Sequence, residues 1–237
     1  MKKFKLFIIL IILIVSGGNI KAENKISYSA NIGGLRIAEI VFTVNLEENN
    51  WQIKTEIQAA GLVDKFVSFV FNAESSGLLQ EGRLKPEIYN FSYVIKNKNK
   101  SRSAIINYKD GIPVSIKADP AYRDNDILSK DELFKYGSDS SDPNSAFVVT
   151  GSYLNPCLEN SKSFDGVRSY EIKMNKKNKK RKITIDEVEY DVVLCAGSFN
   201  PIVGYEESDF LESAAETNSI KYWYKFFEKE KMWVPLR

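Results

Sequence analysis

The stretch Ile40–Ala59, IVFTVNLEENNWQIKTEIQA, decides the fold class, because apolar and polar side chains alternate on both sides of a polar tetrapeptide. The apolar positions of the two arms are Ile40, Phe42, Val44 and Leu46, then Trp51, Ile53, Ile57 and Ala59. A period of two is that of a β-strand with one buried face. The tetrapeptide Glu47–Asn50 supplies the turn, so the stretch predicts an antiparallel hairpin.

Similar alternation recurs along the chain in short runs separated by polar or glycine-containing turns. Leu62–Phe71 predicts a brief helical turn that leads into a strand, and Asp110-Gly111 is a tight-turn signal. Further strands are predicted at 71–76, 88–96, 103–108, 112–117, 167–174, 183–185, 188–194, 220–227 and 233–236. Many short strands predict a mainly antiparallel all-β fold, in which a curved sheet or barrel-like architecture encloses the core.

One helix of short to medium length is predicted near 143–154. Asp142 is a typical N-cap acceptor, and Pro143 suits the first helical position. Apolar residues follow at helical spacing, and Asn155-Pro156 would end the helix.

The first 22 residues have the pattern of a secretory signal peptide. Lys2, Lys3 and Lys5 precede the apolar run Leu6–Val15, and cleavage is expected near Ala22. The run is about half as long as the ~20 residues that cross a bilayer, and no later segment is apolar enough to do so. We therefore expect an exported protein without a transmembrane segment, in which residues 23–237 form a single domain.

Charge and composition exclude several functions. Removal of four lysines with the signal peptide, from a chain with 33 basic and 31 acidic residues, leaves a net charge of −2, which argues against nucleic-acid binding. The chain contains no histidine, which excludes Ser-His-Asp and Cys-His catalysis and most zinc sites. The acidic stretch 119–142 lacks the glycine of a calcium-binding EF-hand loop, so no metal or other cofactor is expected.

Two cysteines, Cys157 and Cys195, are present, and an even number in an exported chain predicts a disulfide. The bridge would close a loop for which the chain-entropy model gives about 4 kcal/mol. Two free thiols are one alternative. A redox-active pair is the other, and it is disfavoured because the spacing is not the Cys-x-x-Cys of such pairs.

A series of short motifs resembles, in order and spacing, the DUF3108 family of exported domains of unknown function in Gram-negative bacteria. The motifs are GGLRIAEIVF, GLVDKF, SSGLLQEGRLKPEIYNFSY, DPNSAFVV, FDGVRSYEI, Cys195 followed by NPIVGY, and MWVPLR. The family more often has leucine where this chain has Asn144, a position expected to be exposed in the first turn of the helix. The resemblance implies a periplasmic or envelope location, and it supplies no activity and no catalytic residues.

Two charged segments are candidate sites. Asp165-Gly166-Val167-Arg168 predicts a turn, and Asp165 and Arg168 would alternatively form an anion or ion-pair site. The segment Lys173–Lys182 holds seven basic residues and predicts a solvated hairpin tip. Contact with anionic lipid head groups is the functional alternative, through Lys176, Lys177, Lys179, Lys180 and Arg181.

Aromatic residues on both faces of the predicted strand Ile220–Phe227 favour an apolar cavity inside a curved sheet. Together with export, this favours a non-enzymatic carrier of a lipid, acyl chain or other hydrophobic ligand in the cell envelope. An envelope protein-interaction module is one alternative. The other is a glycan hydrolase with paired carboxylates, although no spacing in the sequence identifies such a pair.

Overall fold

The computed structural model describes residues 24–32, 34–122, 129–151, 155–158, 160–205 and 220–237. Their strands form two antiparallel sheets, one of which is curled into a half-barrel, so the predicted all-β class is confirmed. The signal-peptide prediction falls on residues 1–22, which lie outside the described residues. Within the described ranges, no helix is long and apolar enough to cross a membrane.

The first sheet is a meander of seven strands that pair in sequence order. These strands are β1 (Asn24–Ile32), β2 (Leu35–Leu46), β3 (Asn50–Ala59), β4 (Phe69–Gln80), β5 (Arg83–Ile95), β6 (Lys100–Lys109) and β7 (Ile112–Asp119). Helix α1 (Gly61–Phe66) connects β3 to β4, as the brief helical turn in the sequence predicted, and a 3-10 turn (Lys96–Lys98) connects β5 to β6.

The second sheet has six strands in the order β8-β13-β12-β11-β10-β9. Their bounds are β8 (Val149–Thr150), β9 (Ser161–Phe164), β10 (Ser169–Ile185), β11 (Val188–Val203), β12 (Ile220–Phe227) and β13 (Met232–Pro235). Helix α2 (Lys130–Gly137) and a 3-10 turn (Ser145–Phe147) lie in the connection between the sheets.

The hairpin predicted from Ile40–Ala59 is confirmed as β2 and β3, with Phe42 opposite Thr55 and Val44 opposite Ile53. The side chains at these positions share one face of the first sheet, which we call the inner face. The main core cluster packs between this inner face and the second sheet. It consists of Phe42, Val44, Trp51, Ile53, Val148, Met232 and Val234.

The helix predicted near 143–154 is wrong in position. In the described part of this range, 143–151, only the single 3-10 turn Ser145–Phe147 forms, and Val149–Thr150 is already strand β8. The chain extends because Val149 and Thr150 pair with Trp233 and Met232 of β13, and such tertiary pairing overrides local helix signals. The α-helix of this region is α2, at Lys130–Gly137.

The basic segment Lys173–Lys182 is not a hairpin tip. Strand β10 runs through it to Ile185, with an irregularity between Met174 and Asn178. The turn lies instead at Asp186 and Glu187, which both have positive φ, as a two-residue hairpin turn requires.

Candidate functional site

The inner face of the first sheet is buried at one end and only half-buried at the other. The buried end carries the main core and lies near the β2–β3 and β4–β5 turns. The other end, which we call the α1 end, lies near α1 and the β5–β6 turn. The half-buried apolar side chains there form what we call the trough: Ile40, Ile57, Phe69, Phe71, Phe91 and Tyr93.

Aromatic rings line the trough in a continuous series across β4 and β5. The centroids of Phe69 and Phe71 lie 6.5 Å apart, and those of Phe71 and Phe91 lie 6.0 Å apart. Tyr93 lies 6.3 Å from Phe69. Register produces this arrangement, because Phe71 pairs with both Ile57 of β3 and Tyr93 of β5.

An arginine lies at the β6 side of the trough. Arg102 is opposite Tyr93 in the register, and its guanidinium lies 4.6 Å from the centre of the Tyr122 ring. Its Nε is buried and has no hydrogen-bond partner within the described residues. A buried donor without an acceptor is costly, so this atom is suited to an acceptor other than those that the described residues supply.

A second arginine lies nearby. Burial raises the pKa of the Tyr122 hydroxyl, Asp165 raises it further, and Arg102 and Arg168 lower it, so both arginines lie within electrostatic range of this ring. The guanidinium of Arg168 also lies 5.9 Å from the centre of the Tyr205 ring. Burial and then Asp165 raise the pKa of Tyr205 to about 12. Two guanidinium groups and the carboxylate of Asp165 therefore lie near these aromatic rings.

The candidate residues Asp165 and Arg168 form a turn with an ion pair inside it. The carboxylate of Asp165 accepts hydrogen bonds from the backbone N–H of Val167 (3.0 Å) and Arg168 (2.6 Å). Nη1 of Arg168 lies 3.9 Å from Oδ2 of Asp165, and the Arg168 side chain is 58% exposed. Burial raises the pKa of Asp165, while the turn hydrogen bonds oppose that shift. Asp165 thus fixes the turn, and Arg168 keeps donors available to solvent.

Asp142 and Asn144 attach the connecting segment to the inner face. The buried carboxylate of Asp142 accepts hydrogen bonds from the hydroxyls of Ser75 and Ser145 and from two backbone N–H groups. Asn144 accepts from the Thr55 hydroxyl at 2.9 Å and donates to the carbonyl of Ile53 at 3.4 Å. The expectation that Asn144 is exposed is therefore wrong, since this residue is 4% exposed.

The disulfide prediction agrees with the structure, which places the sulfur atoms of Cys157 and Cys195 2.04 Å apart. Both cysteines are fully buried against one face of the second sheet, with Ile172, Met174 and Tyr224. A gap of only about 10 Å³ remains between this face and Ala146 and Phe147. That volume is about one water molecule, so this gap is too small for a larger ligand.

A polar groove of about 1000 Å³ lies far from the trough, at the opposite end of the first sheet. The turns Gln80–Arg83 and Asp110-Gly111 form one wall, and the segment Ser138–Ser141 forms another. Both acidic and basic residues line it, including Glu81, Arg83, Asp110, Asp139 and Lys162. The groove therefore has no single charge preference that would select a ligand class.

The other predicted basic site does not converge with the trough residues. Lys179, Lys180 and Arg181 are exposed on β10, opposite Leu194, Val193 and Val192 of β11. Lys176 and Lys177 belong to the same strand, and their side chains lie outside the described part of the chain.

Within the part of the chain that the structure describes, the two carboxyl groups with raised pKa values do not form an accessible catalytic pair. Asp142 and Asp165 have pKa values raised by burial, but the oxygens of Asp142 are occupied by hydrogen-bond donors and have no solvent exposure. Among the described residues, no three acidic or cysteine side chains cluster as metal ligands.

Sequence reasoning missed the trough and Arg102. The sequence does show aromatic residues at every second position, in Phe69 and Phe71 and in Tyr89, Phe91 and Tyr93. It does not show the strand register that brings the two sets together. Comparisons of the chain with models of known families, with curated proteins and with solved structures find no match.

Proposed function

We propose that the protein is a non-enzymatic carrier of the cell envelope that binds an acyl chain with an anionic head group. The acyl chain of the ligand lies in the trough, and its anionic head group contacts Arg102 and Arg168. The observation that carries the proposal is the buried Nε of Arg102, which has no acceptor among the described residues and lies next to a half-buried aromatic surface.

The dimensions of the trough suit such a ligand. From β2, which carries Ile40, to β6, which carries Arg102, there are four strand spacings, or about 19 Å along the sheet. An acyl chain that crosses the strands would contact aromatic rings along its length and end at the guanidinium of Arg102. Each methylene removed from water contributes about 0.8 kcal/mol, and the charged hydrogen bond fixes the orientation.

Two ligands that differ only in the head group test the proposal: a fluorescent long-chain fatty acid and the corresponding alcohol. We expect Arg102→Met to weaken binding of the acid at least tenfold, because a hydrogen bond to a charged group contributes about 1.5–3 kcal/mol. Binding of the alcohol should change little. Phe69→Ala should weaken binding of both ligands, because it removes apolar contact area from the trough.

Arg83→Met is the matched control, since Arg83 is exposed at the opposite end of the sheet. Equal effects of Arg102→Met and Arg83→Met, or no saturable binding of either ligand, would refute the proposal. Mass spectrometry of the protein purified from the envelope without denaturation provides a second test, with a co-purifying acyl lipid as the expected result.

A further inference from the structure

The α1 end carries large apolar side chains that are mostly exposed. Phe66 is 74% exposed, Leu35 is 60% exposed and Leu62 is 57% exposed. The backbone brings them to one place, because the N–H of Ala60, just before α1, donates to the carbonyl of Ile37 at 2.9 Å. Single exposed apolar residues are common on proteins, but a group of three at one end indicates an interaction site.

Lysines surround these side chains. The 3-10 turn between β5 and β6 is held against α1, since the side chain of Asn97 donates to the carbonyl of Phe66 and the N–H of Lys96 donates to the carbonyl of Ser68 at 3.0 Å. Helix α1, this turn and the first residue of β6 present four exposed lysines, namely Lys65, Lys96, Lys98 and Lys100.

Among the described residues of α1 and of the β5–β6 connection, basic side chains outnumber acidic ones. Asp64 is the acidic residue of α1, and Arg36 is neutralised by Glu39 at 2.8 Å. The four lysines therefore leave a local excess of positive charge next to protruding apolar groups. Protein interfaces are depleted of lysine, whereas a surface that lies in the membrane interface combines apolar side chains with basic ones.

We propose that the α1 end docks on the surface of a bilayer that contains anionic lipids. Leu35, Leu62 and Phe66 enter the head-group region, and Lys65, Lys96, Lys98 and Lys100 contact lipid phosphates. The trough opens at this same end, so docking places it next to the acyl chains. The docking itself does not require the proposed ligand, because it rests on exposed residues outside the trough.

Vesicle binding tests the proposal with protein isolated from cells that express the full chain. Vesicles of phosphatidylglycerol and phosphatidylethanolamine are compared with vesicles of phosphatidylcholine alone. We expect Lys96→Gln/Lys98→Gln/Lys100→Gln to weaken binding to the anionic vesicles roughly a hundredfold, at about fivefold per lysine. Leu62→Ala/Phe66→Ala should weaken it at least tenfold.

Two matched controls lie elsewhere on the surface. Phe134→Ala removes a phenylalanine that is 60% exposed on α2, and Lys179→Gln/Lys180→Gln/Arg181→Gln removes three exposed charges from β10. Both controls should bind like the wild type. The proposal fails if the β10 variant loses binding while the α1-end variants keep it, or if the phosphatidylcholine vesicles bind equally well.

A direct readout guards against folding artefacts. Phe66→Cys is labelled with a polarity-sensitive fluorophore, which is selective because both native cysteines are in the buried disulfide. Anionic vesicles should raise and blue-shift its emission, and the same label at Phe134→Cys should not respond. An unchanged signal at position 66 overturns the inference. Vesicle binding without fatty-acid binding would support docking and refute the carrier function.

Discussion

The carboxylate of Asp142 accepts a hydrogen bond from the hydroxyl of Ser75, 67 residues earlier in the chain, and both side chains are fully buried. This bond joins the connecting segment to β4, next to the Ala73 and Phe71 positions of the inner face. The segment that links the sheets is thus anchored by polar contacts within an otherwise apolar interior.

Asp142→Ala should destabilise the fold by at least about 3 kcal/mol, because each buried donor left without an acceptor costs about 1–3 kcal/mol. Asp142→Asn should cost about 1 kcal/mol or less, since its amide oxygen still accepts from the N–H groups and its amide nitrogen can donate to Ser145. Chemical unfolding at pH 7 measures both. Equal losses of unfolding free energy for the two variants would contradict the idea that the side-chain oxygen at position 142 satisfies these buried donors.

The same residue predicts a pH dependence. Burial raises the pKa of Asp142 above its ordinary value, so the folded state holds the proton more tightly than the unfolded chain does. The contribution of Asp142 to the free energy of unfolding is fully present below the pKa that this residue has in the unfolded chain. It is lost as the pH rises through the pKa that Asp142 has in the folded state. The stability of the wild type relative to Asp142→Asn should therefore fall across that interval, as unfolding measured from acid to neutral pH would show. A difference that stays constant would exclude the shift.

Asn144 and Thr55 should be energetically coupled through their hydrogen bond. Asn144→Leu leaves the Thr55 hydroxyl and the Ile53 carbonyl without the hydrogen bonds that they make to Asn144. We expect a loss of about 1–3 kcal/mol. Adding Thr55→Val should recover part of that loss, and a double-mutant cycle of unfolding free energies measures the coupling. Strictly additive effects would show that the bond contributes nothing.

The disulfide should contribute a substantial share of the stability. Cys157 and Cys195 are separated by 38 positions, and the chain-entropy model gives about 4 kcal/mol for a loop of this size. Unfolding of Cys157→Ala/Cys195→Ala in denaturant should reveal a loss of this order. Reductant should destabilise the wild type and leave the stability of the double variant unchanged. If reductant also destabilised the double variant, its effect would not arise from the disulfide.

Gly166 should tolerate no side chain. Its φ is +99°, and an added Cβ would lie 2.8 Å from Cδ1 of Ile106. Gly111 is the matched control, because its φ is +78° but the nearest atom to an added Cβ is 3.9 Å away. Gly111→Ala should cost about 1–2 kcal/mol from the left-handed backbone alone.

Gly166→Ala should cost clearly more than Gly111→Ala in thermal or chemical unfolding. Ile106→Val removes the methyl group that would clash with the added Cβ. Combined with Gly166→Ala, it should reduce the additional loss of stability at Gly166 relative to Gly111. An equal cost at the two glycines would mean that the contact with Ile106 relaxes freely.

Local patterns predicted the strands well, because alternation reports directly on a face that must be buried. Phe42, Val44 and Ile53 are buried where the pattern placed them, and the Asp110-Gly111 signal is a two-residue turn with positive φ. Helix α2 was missed, although Ser129 and Glu132 form the capping box that their spacing permits.

The misplaced helix near 143–154 and the missed trough share one physical cause. Asp142 does accept the N–H groups of a first turn, as its N-cap signal predicted, but its carboxylate also bonds to Ser75. The competing contacts come from distant strands, and a single sequence contains no direct signal for them. The trough was beyond reach for the same reason, because Ile57, Phe71 and Tyr93 meet only through register.

The strand order has a consequence for the sequence of assembly. Each strand of the first sheet pairs with its neighbour in the chain, so that sheet has low contact order and can form progressively from the N-terminus. In the second sheet, β8 pairs with β13, at the far end of the chain. A nascent polypeptide can therefore complete the first sheet early, whereas the second sheet stays open until β13 has been synthesised.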